Sequence, residues 1–253
     1  MNNPARPLDD ELRRIASSGF AVADVTLEPP RAWPCDGRQL GALLAGLGLA
    51  GVGHTAYYLP IASPFSELRR AAHAAMCEAF DVFVAAGIDR VNVHPDPLNA
   101  LFTVAEMQAR NAEALAALSA AAAERGLTLM LENLGRVLGS VDELRPLFDA
   151  VPKLAFHLDV GHANLGRGVS QANRTEELLA AFGERLAHVH VSDNLGGDDL
   201  HLPLGAGSVE WPAVVRSLKA VGWDGAVTLE IHSGTPQHLE SSRELWLAWW
   251  DAA

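Results

Sequence analysis

Histidines and carboxylates stand at the ends of short apolar runs throughout this 253-residue sequence. Four of them close four successive runs: Glu132, Asp159, His190 and Glu230. Neutral imidazole nitrogens and carboxylate oxygens are good ligands for divalent Mn, Fe, Co and Zn. Burying several ionisable side chains together without a cation would be costly. We therefore predict that these four side chains bind a divalent metal ion.

A second set of residues has the same ligand chemistry and lies at other run ends or in the loops that follow them. Its members are His54, His94, His162, Asp199 and His201. These side chains could bind additional metal, which would give one to three ions per chain, or they could hydrogen-bond a substrate. Three more histidines, His157, His188 and His232, stand two residues from a predicted ligand. Because alternate strand residues share a face, we expect these three to orient ligands through hydrogen bonds.

The elements that must position these side chains follow from the hydrophobic pattern. Short runs rich in Val, Ile and Leu alternate with longer amphipathic segments, which is typical of a parallel sheet covered by helices. The predicted strands are 21–27, 49–54, 89–94, 127–132, 153–159, 186–191 and 226–231. The predicted helices are 38–46, 66–86, 103–125, 140–150, 173–183, 211–221 and 237–250, with a further helix at Leu8 to Ser17.

Seven strands alternating with helices predict an α/β fold, a (β/α)8 TIM barrel whose first strand is short or missing. The segment before the first helix contains two prolines and no apolar run. In such barrels the active site lies at the C-terminal ends of the strands, where the candidate ligands are found. The whole chain, residues 1–253, is expected to form a single domain.

Composition narrows the range of functions. The net charge of −12 disfavours nucleic acid as a partner, because it repels a phosphate backbone. Two cysteines give no disulfide framework, and no apolar run reaches the roughly 18 residues of a membrane span. We expect a cytoplasmic protein that acts on a small molecule and has no membrane association. The tryptophan-rich segment near residue 246 predicts either a final helix packed on the barrel or an interface between copies in a homo-oligomer.

Seven short motifs, in this order, resemble the xylose isomerase-like TIM-barrel superfamily, which contains sugar-phosphate isomerases and epimerases and the endonuclease IV-type AP endonucleases. The motifs are Gly53-His54-Thr55-Ala56-Tyr57, Asn92-Val93-His94-Pro95, Leu131-Glu132-Asn133, Leu158-Asp159-Val160-Gly161-His162, His188-Val189-His190-Val191-Ser192-Asp193, Asp199-Leu200-His201-Leu202-Pro203-Leu204-Gly205-Ala206-Gly207 and Thr228-Leu229-Glu230. They cover most of the chain.

The resemblance implies two alternative activities. In the epimerase branch, Glu132, Asp159, His190 and Glu230 resemble a single-metal site, and the two glutamates also act as acid and base on a small sugar, a sugar phosphate or a related polyhydroxy carbonyl compound. In the endonuclease branch, the further five residues complete a set of nine ligands for three metal ions in a phosphoester hydrolase. The short, acidic loop at residues 193–198 favours the isomerase or epimerase over the hydrolase. A lyase or dehydratase with the same metal-enolate chemistry and a non-catalytic binding module stay open as further alternatives. Arg136, Arg167 and Arg174 are candidates for holding a substrate phosphate.

Overall fold

The computed structural model describes residues 1–166, 172–232 and 235–253. Its strands are β1 (Val22–Leu27), β2 (Ala50–Thr55), β3 (Arg90–Val93), β4 (Thr128–Glu132), β5 (Ala155–Asp159), β6 (Leu186–Val191) and β7 (Val227–Leu229). Its helices are α1 (Leu8–Ser17), α2 (Gly37–Leu47), α3 (Ser66–Ala85), α4 (Val104–Glu124), α5 (Val141–Ala150), α6 (Val160–Asn164), α7 (Thr175–Phe182), α8 (Trp211–Ala220) and α9 (Pro236–Ala252). A 3-10 turn follows α7 at Gly183–Arg185. None of the helices in these ranges combines the length and apolar character needed to cross a membrane.

The predicted alternation of strands and helices is confirmed at every position. The observed strand boundaries differ from the predicted ones by no more than two residues. β7 is shorter than predicted because Glu230 and Ile231 lie beyond the strand. The sequence pattern missed α6, a helix of only five residues directly after β5. The chain divides into two compact units: Met1–Leu131 with Arg145–Ala155, and Glu132–Leu144 with Phe156–Ala253.

The strands of the first unit run parallel in chain order from β1 to β4. Val22 is paired with Ala50, Gly53 with Val91, and Val91 with Leu129. Local sequence signals mark the helix ends: Asp36 caps α2 by accepting a hydrogen bond from the backbone of Gln39. Gly48 ends the same helix in the left-handed conformation, with φ 69°.

A single residue, Asn2, lies along the edge of β1 where the predicted first strand would pair. No strand precedes α1 in residues 1–166, but Asn2 occupies the edge of β1 with both its backbone and its side chain. The Asn2 backbone N–H donates to Asp24 O at 3.2 Å, and its side chain accepts from Thr26 N at 2.7 Å and donates to Thr26 O at 3.2 Å. One fully buried asparagine therefore satisfies backbone groups that a neighbouring strand would otherwise pair.

Helices α2 and α3 of the first unit approach closely through glycine. A Cβ on Gly37 would lie 2.4 Å from Val82 O, and one on Gly41 would lie 2.9 Å from Ala86 O. Any larger residue would therefore have to push the helices apart. This close packing fixes α2 and α3, which flank β2 in the chain.

The second unit contains β5, β6 and β7, which also run parallel in chain order. Its C-terminal helix α9 packs on α8: the Trp211 and Trp249 rings stack with centroids 5.9 Å apart, and Trp246 meets Trp211 edge-on. This confirms that the tryptophan-rich segment is a packed final helix. Leu245 and Leu247 of α9 are partly exposed, and the homo-oligomer stays a prediction.

Candidate functional site

Four predicted ligands of the second unit come together at the ends of successive strands. Glu132 ends β4, Asp159 ends β5, His190 lies near the end of β6, and Glu230 follows β7. One potential ligand atom from each of the four lies within 4.8 Å of the others, and all four residues are buried. The fold therefore brings these four residues, which are far apart in the sequence, into one compact cluster, here called the carboxylate–histidine quartet.

A β-bulge between β5 and β6 brings the histidines onto the face that carries Asp159. Phe156 is paired with Leu186, but the next paired residues are His157 and His188, so that β6 contains one extra residue. Without this bulge every β6 side chain beyond it would point to the opposite face of the sheet. With the bulge, Asp159 is paired with His190.

Hydrogen bonds within the protein satisfy some quartet atoms but leave one buried carboxylate oxygen available to coordinate a cation. His190 Nδ1 lies 2.8 Å from Glu230 Oε2, and Asp159 Oδ1 accepts the backbone N–H of His162 at 2.6 Å. Within the described residues, Asp159 Oδ2 is buried and has no hydrogen-bond partner. A buried carboxylate oxygen that lacks a donor is costly, and coordination to a metal ion would remove that cost.

The pKa shifts in the quartet reflect three carboxylates crowded into a buried space. Burial, together with the nearby Glu230 and Glu132 charges, raises the pKa of Asp159 to about 7 against the opposing effect of His162 and His190. Burial also acts to raise the pKa of Glu230, but the charge and hydrogen bond of His190 outweigh it and hold that pKa well below its ordinary value. The donor set of three carboxylates and one imidazole therefore fits a divalent cation such as Mn, Zn, Co or Fe.

A layer of imidazoles lies next to the quartet on β5 and β6. His157 Nδ1 is 3.4 Å from Glu132 Oε2, and His188 Nε2 is 2.9 Å from Thr228 Oγ1. The His157 and His190 rings meet edge-on with centroids 4.1 Å apart. His232 lies at the surface, 46% exposed, with Nε2 3.6 Å from Glu230 Oε1. These contacts are consistent with the predicted ligand-orienting role, which stays a prediction.

A second cluster, here called the rim cluster, consists of His162, Asp199 and His201. Asp199 Oδ2 lies 3.2 Å from His162 Nε2 and 2.9 Å from His201 Nε2. His201 has φ 44°, and its Nδ1 donates to Glu230 O at 3.1 Å. All three side chains are partly exposed, so they can reach a ligand from solvent.

In the rim cluster, the Asp199 carboxylate and the two imidazoles stabilise one another's charged forms. Burial acts to lower the pKa of His201, but the hydrogen bond to Asp199 and nearby carboxylates raise it to about 9. The pKa of His162 is likewise raised well above its ordinary value against burial by Asp159 and Asp199. The pKa of Asp199 is lowered, because hydrogen bonds from both imidazoles outweigh burial.

The remaining predicted ligands, His54 and His94, belong to the first unit. His54 lies in β2, and His94 follows β3; their ring centroids are 5.0 Å apart. The Tyr57 ring lies 6.3 Å from that of His94. Burial raises the pKa of Glu28, and the charge of His94 opposes that rise. Metal or substrate binding by these histidines stays a prediction.

The arginines considered for phosphate binding are occupied by the protein itself. Arg136 donates to Gly197 O and, at 2.9 Å, to Asp198 Oδ1. Arg174 donates to Gly135 O at 2.9 Å and to Leu165 O at 3.1 Å. Arg167 lies outside the described residues. Neither described arginine therefore supports a phosphate subsite.

Comparison with known proteins shows which family this chain resembles. Residues 12–249 match the family described as xylose isomerase-like TIM barrel. The uncharacterized protein MJ1311 of Methanocaldococcus jannaschii is 34% identical over 150 residues, which cover 55% of this chain and 50% of that protein. An L-ribulose 3-epimerase of Methylomonas sp. (strain DH-1) is 28% identical over 134 residues, which cover 51% of this chain and 43% of that enzyme. The chain thus spans about half the length of the curated relatives it matches.

Among solved structures, a D-tagatose 3-epimerase-like protein superimposes with a TM-score of 0.87 at 24% identity. The match covers 98% of this chain and 94% of that protein, and it shows a shared fold. The family match, which includes residues of both compact units, confirms the α/β barrel class expected from the sequence. The chain belongs to the family of xylose isomerase-like TIM barrels.

Proposed function

We propose that this protein is a metal-dependent isomerase or epimerase of a small sugar or a related polyhydroxy carbonyl compound. The observation that carries the proposal is the quartet, in which four buried ligand atoms lie within 4.8 Å of one another. Its three carboxylates and one imidazole suit a hard or borderline divalent cation. The names of the relatives, an L-ribulose 3-epimerase and a D-tagatose 3-epimerase-like protein, make ketoses the first substrates to test.

Glu132, Asp159, His190 and Glu230 would hold the cation. A divalent cation bound there would polarise a substrate carbonyl and stabilise the negative charge that develops on it. Glu132 and Glu230 come from different strands and flank the reacting carbon. One of them removes the proton beside the carbonyl, and the other returns a proton to the neighbouring carbon or to the opposite face.

The rim cluster orients the substrate in this proposal. Asp199, partly exposed between His162 and His201, accepts hydrogen bonds from substrate hydroxyls, and the two imidazoles hold its carboxylate in place. Because the described arginines contact the protein instead, an unphosphorylated sugar fits the site better than a sugar phosphate. Burial of the quartet keeps bulk water away from the carbon that loses its proton.

The direct test incubates the enzyme, loaded with Mn, Co or Zn, with ketoses in D2O and follows the sugar by NMR. We expect a new epimer or isomer to form with deuterium at the reacting carbon. The Glu132→Gln variant is expected to form neither. Unchanged NMR spectra across the ketopentoses and ketohexoses would refute the ketose assignment.

A phosphoester hydrolase is the second candidate function, and the rim cluster is the observation that favours it. Two imidazoles and a carboxylate in contact are a donor set for an additional metal ion, as multinuclear hydrolases require. Hydrolysis of bis(p-nitrophenyl) phosphate by protein carrying two or three zinc ions would support this function. A single metal ion per chain and no such hydrolysis would exclude it.

A further inference from the structure

Asp193, just beyond β6, is a fully buried carboxylate that binds the chain segment downstream of it. Its Oδ1 accepts from Val209 N at 3.1 Å and from Asn194 N at 3.0 Å. Its Oδ2 accepts from Gly205 N at 2.9 Å and from Trp211 Nε1 at 3.0 Å. Hydrogen bonds to a charged acceptor are stronger than neutral ones, so this one side chain holds residues 205–211 against the end of β6.

The backbone of Asp193 binds the same segment a second time. Asp193 N donates to Leu202 O at 3.0 Å, and Leu202 N donates to Asp193 O at 2.8 Å. Leu202 directly follows His201 of the rim cluster. Side chain and backbone of Asp193 together therefore fix where the polypeptide leaves the rim cluster.

Asn194 holds α6, the helix that carries His162 of the rim cluster. Its Nδ2 donates to Gly161 O at 2.8 Å, and its Oδ1 accepts from Asn164 Nδ2 at 2.9 Å. Gly161 and Asn164 both lie in α6, the short helix that carries His162. Asn194 is fully buried, so water cannot replace these hydrogen bonds without local opening.

Two glycines show that this framework is packed without spare room. A Cβ on Gly161 would lie 2.5 Å from Ser192 Oγ, and one on Gly207 would lie 2.2 Å from Asp193 Oδ1. A Cβ on Gly207 would also lie 2.3 Å from the backbone oxygen of Asn194, so rotation of one side chain could not relieve that contact. The framework therefore has little freedom to adjust when one of its hydrogen bonds is lost.

From these contacts we infer that Asp193 and Asn194 are positioning residues that set the separation of His162 and His201. Asn194 holds α6 with His162, Asp193 holds the segment that begins at His201, and the two residues are adjacent in the chain. Hydrogen bonds weaken steeply with poor geometry, so small shifts of either segment would separate Asp199 from one imidazole. The effect on substrate binding rests on the proposed function, because it requires that the rim cluster contact the sugar.

The test variant is Asp193→Asn, which keeps the side-chain shape but turns an amide NH2 toward two of the four donors. We expect the amide of Gly205 or Val209, whichever then faces the NH2 group, to exchange hydrogen about tenfold faster or more. We also expect the imidazole NMR signals of His162 and His201 to move, while those of His188 stay in place. Asp198→Asn, on an exposed side chain of the same loop, is the matched control and is expected to change neither measurement.

Substrate kinetics separate positioning from general loosening of the fold. With a ketose substrate, we expect Asp193→Asn to raise KM about tenfold or more with a smaller change in kcat, because the quartet is left intact. Trp211→Phe removes one of the four donors and is expected to cause the same changes more weakly. It also serves as the second variant if Asp193→Asn does not fold.

The two proposals fail in distinguishable ways. Unmoved His162 and His201 signals in Asp193→Asn would overturn the positioning role whatever the substrate is. A loss of about tenfold in kcat with an unchanged KM would overturn the positioning role as well. Wild-type protein without ketose activity would refute the proposed function alone, and the exchange rates and imidazole signals would still decide the role of Asp193.

Discussion

Glu132 and Glu230 differ in their surroundings although both belong to the quartet. Glu230 Oε2 lies 2.8 Å from His190 Nδ1, whereas Glu132 lies 3.2 Å from His162 and 3.4 Å from His157 through its two oxygens. Two acid–base groups with different neighbours are what a two-glutamate proton transfer requires, because one must accept a proton while the other supplies one.

Replacing either glutamate by glutamine tests this assignment at the level of single residues. We expect Glu132→Gln and Glu230→Gln each to lower kcat about 100-fold to 10,000-fold, because the amide can neither accept nor deliver the proton. Circular dichroism should show an unchanged fold. Glu176→Gln, at an exposed position of α7, is the matched control. Wild-type turnover in either quartet variant would contradict the proton-transfer roles.

The sequence could place the quartet residues because each lies at or next to the end of a strand, which periodicity predicts directly. It could not show that Asp193 and Asn194 are buried, because their surroundings come from residues far along the chain, such as Gly161 and Val209. A short loop with glycines reads as exposed, whereas these two residues have 0% exposure. The run Ser192-Asp193-Asn194 directly after an apolar strand was the signal that such a side chain could turn inward.

At the scale of elements, α1 is joined to the N-terminal segment through Glu11, whose side chain is 3% exposed. Its Oε2 accepts from Asn3 N at 3.0 Å and from Arg14 Nη2 at 2.8 Å. Burial alone would raise the pKa of Glu11, but these hydrogen bonds and the charges of Arg14 and Arg6 lower it below the ordinary 4.5. The ionised carboxylate therefore stabilises the folded state.

Because the folded-state pKa is lowered, this stabilisation is fully present above about pH 4.5 and is lost as the pH falls through the lowered value. We expect Glu11→Gln to reduce the free energy of unfolding by about 1–3 kcal/mol at pH 7. The difference from wild type should shrink below pH 4. Urea unfolding of both proteins across this range measures it, and a difference independent of pH would contradict the ionic contribution.

Because α2 contacts α3 at Gly37 but not at Gly46, we expect substitutions at these two glycines of α2 to change stability in opposite directions. Gly37→Ala would place a Cβ 2.4 Å from Val82 O, and we expect it to destabilise the fold by about 1–3 kcal/mol. A Cβ on Gly46 would meet no neighbouring atom within 4 Å, so Gly46→Ala should stabilise the helix by up to about 1 kcal/mol. Thermal unfolding compares the two, and equal effects of the same sign would contradict the close approach.

The elements themselves were largely predictable, because both helix and strand periods are strong in this sequence. The exceptions are features that depend on pairing between distant segments. The bulge at β5 and β6 leaves no mark in the hydrophobic pattern, yet it decides which face His188 and His190 occupy. Likewise, nothing in the composition of residues 1–7 indicates that Asn2 would pair with β1 in place of a strand.

At the scale of the whole molecule, the negative charge is consistent with the proposed action on a small molecule. The net charge of −12 offers little attraction for a phosphate backbone. The family match runs over residues 12–249, and we expect the chain to work as one domain. A homo-oligomer formed through the partly exposed α9 would show as a larger mass in solution.

Removing metal should abolish activity without unfolding the protein. We expect dialysis against a chelator to eliminate turnover, and addition of Mn, Co or Zn to restore it. Metal analysis of the dialysed protein is the control that removal was complete. Full activity in verified metal-free protein would refute the metal mechanism.

The most direct test of the quartet is the metal content per chain, measured by elemental mass spectrometry on protein purified without an affinity tag. We expect about one equivalent of Mn, Co, Fe or Zn in wild type, and much less in Asp159→Asn. This substitution alters the carboxylate whose buried Oδ2 has no hydrogen-bond partner in the described residues. No bound metal in wild type after exposure to these ions, or equal metal in the variant, would contradict the proposed metal site.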